Sequence, residues 1–193
     1  EALLLSFLDG QRAVLREAHQ YFARQSETEL SLSRAGEWML DNFYIVQQSL
    51  RQVEEDMPER YYRKLPVLEE GDLVGYPRIY ALSRAIVCQS QSYPDVEQIE
   101  RFVQAYQSVT PLTMGELWAL PTMLRLVVLE NLTAALLEVV EFEDEGDPSE
   151  LFAHKPEPQE IPAEQVVAHA IPSLHRLLNQ DWKLLFEEMS LVE

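Results

Sequence analysis

Tyr106-Gln-Ser-Val-Thr-Pro-Leu-Thr-Met-Gly-Glu-Leu-Trp-Ala-Leu-Pro-Thr-Met-Leu-Arg125 decides how this chain is read. Pro111 forces the helix before it to stop. Thr113-x-x-Glu116 is a capping box: the threonine hydroxyl accepts from the backbone at Glu116, and the carboxylate returns to the backbone of Thr113. Pro121 kinks or restarts the helix that follows. From Met123 to Val140 that helix is apolar on nearly every side, interrupted by Arg125, Glu130, Asn131 and Glu138. A helix apolar all round is wrapped by other elements. No run in it approaches the ~18 uninterrupted apolar residues of a membrane span. The expected fold is all-α, a multi-helix bundle packed around a central hydrophobic helix at about 123–140.

Upstream, Leu4, Leu8, Leu15, Ala18 and Phe22 share one face of a helix over residues 3–25. Residues 26–33 are polar and read as a loop. Ser33 caps a second helix, whose stripe Leu40, Phe43, Val46, Leu50, Val53 and Met57 recurs at spacings of three and four until Pro58 ends it. Residues 59–76 are irregular, punctuated by Pro66, Gly71 and Gly75. They contain Arg60-Tyr-Tyr-Arg-Lys64, the densest basic patch of the chain. So long a connection is expected to be pinned to the core or to carry function. Pro77 opens a third helix with Ile79, Leu82 and Ile86 inward. Asp95 opens a fourth, with Ile99, Phe102, Val103 and Tyr106 on its buried side.

Downstream, residues 141–162 differ in kind, carrying acids, four prolines and few hydrophobes. They read as a linker or mobile excursion. Helix returns at residues 163–170, restarts at Pro172, and forms again after Asp181, the cap of Trp182 to Ser190. The expected division is a helical domain over 1–142, an acidic proline-rich linker over 143–162, and C-terminal helices over 163–193 that pack back on the bundle.

The 193 residues carry 47% hydrophobic and 25% charged side chains, with only 6 glycines, as a helical globular domain does. The formal net charge is −18, which repels phosphate backbones and anionic headgroups and makes nucleic acid a poor partner. Solubility alone accounts for such acidity. The single cysteine, Cys88, lies in Ala85-Ile-Val-Cys88 and reads as a buried, inert thiol suited to a reducing compartment. The start lacks the basic region of a signal peptide, and both ends look cut from something longer.

Chemistry-bearing patterns are sparse. His19, His154, His169 and His175 have no partners at a ligand spacing, so no metal is expected. Asp41, Glu116 and Glu130 are the acids most embedded in apolar context. A glycosidase pair would need two carboxylates about 5–10 Å apart. Structural work is the plainer reading: Glu116 belongs to the capping box, and Glu130 pairs with Arg125 or a neighbouring backbone. Trp38, Tyr44, Tyr61, Tyr62, Tyr76, Tyr80, Tyr106 and Trp118 are candidates for a sugar-stacking groove, although aromatic residues at helical spacing mostly fill cores. Tyr61 and Tyr62, flanked by Arg60 and Arg63, are the best candidates for an exposed binding or docking element.

Several strings resemble the amino-terminal region of bacterial cyclic β-1,2-glucan synthases. They are Glu37-Trp-Met-Leu-Asp-Asn-Phe43, Tyr61-Tyr-Arg-Lys-Leu-Pro66, Gly75-Tyr-Pro-Arg78, Phe102-Val-Gln-Ala-Tyr-Gln107 and Thr110-Pro-Leu-Thr-Met-Gly-Glu-Leu-Trp118. Leu124-Arg125 and Glu130-Asn-Leu132 continue the series, and Asp181-Trp182, Phe186-Glu187 and Ser190-Leu-Val192 resemble a later motif of the same region. One departure concerns residues 141–170: this connection is short and acidic where the family has a longer helical region.

The resemblance implies a large inner-membrane parent enzyme that uses UDP-glucose, with its active sites in other parts. It implies that this chain is a non-catalytic, cofactor-free domain at the cytoplasmic face, scaffolding or regulating the glycosyltransferase region. Its partners would be other domains of the parent and, alternatively, β-1,2-glucan itself. A helical interaction domain of another family is the remaining reading. Trp38, Asp41, Tyr61, Tyr62, Arg63, Tyr76, Arg78, Tyr106 and Trp118 form the candidate binding or docking surface.

Overall fold

The Thr113 hydroxyl and the Glu116 carboxylate close the expected capping box, and the helix they open runs unbroken from Met114 to Val139. It begins nine residues before Met123, because Pro121 is accommodated within it rather than restarting it. The computed structural model describes residues 3–28, 31–142 and 147–190. Among them the helices are α1 (Leu8–Thr28, preceded by a 3-10 turn), α2 (Arg34–Asp56), α3 (Glu59–Tyr62) and α4 (Arg78–Gln89). They continue with α5 (Val96–Gln107), α6 (Met114–Val139), α7 (Ala163–Asn179) and α8 (Trp182–Met189). No strand occurs among the described residues; Val67 and Pro77 form an isolated antiparallel bridge.

The fold is all-α, with α6 at its centre. Every residue from Ala119 to Thr133 is buried. Helices α1, α2, α4, α7 and α8 all pack on α6, and α7 also lies along α2. By length and a mean hydropathy of 1.4, α6 is apolar enough to cross a membrane, yet 89% of that window is buried inside the fold. The other helices take the place that lipid would take. Burying a Leu, Val or Met side chain contributes roughly 1.5–3 kcal/mol, so α6 is the main source of apolar stabilisation.

Local chemistry sets the helix ends. The Ser33 side chain accepts from the Gly36 backbone to open α2, and Asp95 forms a second capping box with Gln98 at α5. Gly36 leaves room for α1 to pack on α2: a Cβ there would lie 2.8 Å from a Phe22 ring carbon. Helix α2 is kinked at Asn42, whose amide donates to the Trp38 carbonyl. Pro172 does not restart a helix either. It sits within α7, whose packing on α2 and α6 offsets the missing backbone bond.

Several expectations need correction. Helix α1 continues through Thr28, and residues 29–30 of the expected loop lie outside the described residues. Cys88 is exposed, because Ile86 and Val87 take the inward face of α4 and turn Ala85 and Cys88 outward. Residues 143–146 of the acidic stretch lie outside the described residues, as do Leu191 and Val192. Residues 147–162, expected as a linker, lie against the bundle with Phe152 and Pro156 buried. The amide of Gln11 donates to Leu151 O, the Tyr76 hydroxyl to Ala153 O, and Arg84 to the carbonyls of His154 and Lys155.

Candidate functional site

Four helices meet around an open cleft of about 500 Å³. Three of them contribute residues one turn apart, and the short α3 contributes one. Gln52 and Asp56 come from α2, and Tyr61 from α3. Trp118, Pro121, Thr122 and Arg125 come from one face of α6, at helical spacings of three and four. Trp182 and Phe186 come from α8, whose Asp181 cap accepts from the Leu184 backbone. Only tertiary packing joins these short stripes.

The rings make a concave shelf. Phe186 lies 5.0 Å from Trp118 edge-on and 6.1 Å from Trp182 in a near-parallel stack. The polar handles of two rings are taken up by backbone carbonyls: the Tyr61 hydroxyl donates to Gly115 O at 2.5 Å, and the Trp182 indole N–H donates to Leu177 O at 3.0 Å. Trp118 is 55% exposed. At the floor, Arg125 is almost fully buried. Its Nη1 reaches Asp56 at 3.4 Å and its Nη2 donates to Leu177 O at 3.2 Å, while Nε has no acceptor. Burial lowers the affinity of this guanidinium for its proton, and Asp56 opposes that effect.

Beyond α3, a loop over residues 63–77 folds back on itself. Leu68 N donates to Tyr76 O and Gly75 N to Leu68 O. Gly75 has φ of 84°, a left-handed conformation that a side chain would strain. The loop ends at Arg78, which forks onto both oxygens of Glu116 and also donates to Pro111 O. Burial pushes the Glu116 carboxyl up, but Arg78 and Thr113 outweigh it and hold the group below the usual range. The side chain that caps α6 therefore also anchors the loop.

The singled-out residues do not converge on one groove. Tyr61 and Trp118 line the aromatic cleft. Trp38 is half-buried at a second cleft between α2 and α7, beside Tyr44 and His175. Tyr106 lines a third, between α4 and α5. Tyr76 and Arg78 hold structure through the bonds above. Arg63 is exposed and paired with Glu59, and Asp41 is exposed. Tyr62 is buried, contrary to its expected exposure: one residue on from Tyr61, it turns into the core, where burial pushes its hydroxyl up to about 12. Sequence reasoning missed Gln52, Asp56, Arg125, Trp182 and Phe186 as cleft residues. The i, i+4 pair Trp182/Phe186 was the available signal.

Glu116 and Glu130 are too far apart to act as a catalytic pair. Glu116 and Glu130 lie fourteen residues apart on one helix, about 21 Å along its axis. Glu130 does not pair with Arg125. It accepts from the Tyr80 hydroxyl at 2.9 Å, and burial pushes it up to about 7 despite Tyr80 and nearby Arg84. Among the described residues no group of three or more His, Cys, Asp or Glu is placed to hold a metal.

No family model matches the chain. It is 36% identical over 131 residues, 68% of its own length, to the cyclic beta-(1,2)-glucan synthase NdvB of Rhizobium meliloti (strain 1021). The chain spans only 5% of that protein. The resemblance carried by the quoted strings is thus a match to one small segment of a much longer synthase.

Proposed function

We propose that this chain is a non-catalytic helical domain of a cyclic β-1,2-glucan synthase-like protein, which docks on and regulates the glycosyltransferase region of its parent. In this reading it is the amino-terminal, cytoplasmic part of an inner-membrane enzyme that uses UDP-glucose, and the chemistry belongs to other parts. The similarity to a synthase segment supports such a parent.

The observation that carries the docking role is the anchored loop at 63–77. It presents Val67 and Val74, 51% and 55% exposed, beside Glu69, Glu70 and Asp72. An apolar pair on a loop tied down by Arg78–Glu116 is pre-organised for a partner surface, so little ordering opposes association. That ion pair joins the end of the loop to the start of α6. Glu116, the acid best placed to respond, is committed to structure.

Val67→Asp/Val74→Asp in the full-length parent tests this reading. The variant should make less glucan, and the isolated variant chain should keep its helical circular dichroism. It should also lose association with a parent lacking this segment. Undiminished glucan output together with undiminished association would sink the proposal.

A further inference from the structure

We propose that the aromatic cleft between α2, α3, α6 and α8 binds glucose units of a β-linked glucan, with Trp118 as the stacking platform and Arg125 as the hydroxyl-directed donor. This site is separate from the 63–77 docking loop and does not depend on it.

The ligand chemistry follows from what the cleft offers and what it withholds. A β-linked pyranose has a C–H face that lies flat on an aromatic ring and a rim of hydroxyls that donate and accept. Trp118, open to solvent, supplies the ring surface, with half-buried Trp182 nearby and the buried Phe186 ring packed against both. Tyr61 and Trp182 have already given their polar hydrogens to backbone carbonyls, so they offer the opening ring surface alone. The lining side chains that could meet sugar hydroxyls are Gln52, Asp56, Thr122 and Arg125.

Arg125 is the informative member. It is 3% exposed, its two Nη contacts are long, and its Nε lacks an acceptor. A buried donor without a partner is costly, on the order of 1–3 kcal/mol. Nε itself is closed to solvent, so the donors left for a sugar hydroxyl at this end of the cleft are the Nη groups, whose protein contacts are long. Asp56 balances the guanidinium charge, and the chain carries −18 overall, so an anionic ligand is disfavoured and a neutral one fits. The volume of about 500 Å³ is ordinary for a small-ligand cleft. Neither of the other aromatic clefts combines stacked rings with an under-satisfied buried donor.

The test is a titration of the 193-residue chain with linear β-1,2-gluco-oligosaccharides, followed by calorimetry and tryptophan fluorescence, with a β-1,3 series alongside. Saturable binding is expected, weakened at least tenfold by Trp118→Ala. Trp118 is exposed, and its removal should leave circular dichroism and thermal midpoint near wild type. Tyr44→Ala, in the second cleft, should bind as wild type. Selectivity for β-1,2 linkages would tie the site to the product named for the relative. Equal binding of both series, with the same Trp118 dependence, would support a β-glucan site of broader linkage. Absence of saturation by about 10 mM sugar, where even a millimolar site is mostly filled, would overturn the proposal. So would undiminished binding by Trp118→Ala. Either failure leaves the loop-docking experiment untouched.

Discussion

Helix α6 and the segment at 147–162 are held by opposite means. Helix α6 is surrounded by apolar side chains from five helices and would be placed by burial alone. The segment has little apolar surface. It is held because side chains of the bundle reach out and donate to its carbonyls: Gln11, Tyr76 and Arg84 between them bond Leu151, Ala153, His154 and Lys155. The difference teaches that a stretch without hydrophobic periodicity can be fixed by donors that lie far away in sequence. Its own residues carry no sign of them.

The largest expected effect breaks the core side of this comparison. Leu129→Ala, fully buried in α6, should cost about 2–5 kcal/mol. Chemical denaturation should show the loss as global, with all helices unfolding together. A change below about 1 kcal/mol would mean that α6 is not the centre of cooperativity.

Arg84→Met should act on the other side. It removes bonds to His154 O, Lys155 O and Glu157, for roughly 1.5–3 kcal/mol. Amide exchange should rise across 147–162 while α6 keeps its protection. Uniform loss of protection would show that the segment and the core open as one unit.

Glu130 joins the two regions, since it lies on α6 beneath Tyr80 and Arg84. Its folded-state pKa is raised to about 7 by burial, above the unfolded value. The stability it contributes is therefore fully present below the unfolded pKa and is lost as pH rises through about 7. Glu130→Gln should gain on wild type across that window, by on the order of 3 kcal/mol. Paired denaturation curves at pH 4.5 and 8 would measure it. A difference independent of pH would mean that Glu130 stays charged in the fold.

Tyr76→Phe should have the smallest effect, about 0.5–1.5 kcal/mol, by deleting the single bond to Ala153 O. Proteolysis near residue 153 should quicken modestly. An effect as large as that of Arg84→Met would show that the carbonyl bonds are not additive.

Most of the helical framework was legible because its signals are local. Ser33, Asp95, Thr113 and Asp181 cap where their side chains predict. The failures were also physical. Pro121 and Pro172 are strong local breakers, yet surrounding helices outweigh one missing bond in each. Cys88 looked buried in an apolar run, but a 100° turn per residue puts only part of such a run inward. Of the aromatic cleft, Tyr61 and Trp118 were legible as candidates. Their neighbours Gln52, Arg125 and Phe186 were not, because no sequence period relates residues on four helices.

By itself the sequence determined the capped helix starts and the all-α class, while the short α3 went unread in a stretch that looked irregular. It also marked one helix too apolar to face water, because capping and periodicity act within a few residues. Tertiary structure alone decided that Arg78 ties the loop to the α6 cap, that Glu130 rests on Tyr80 rather than Arg125, and that Trp118, Trp182 and Phe186 share a shelf. Those pairings depend on how helices cross, and crossing is set by the packing of whole faces.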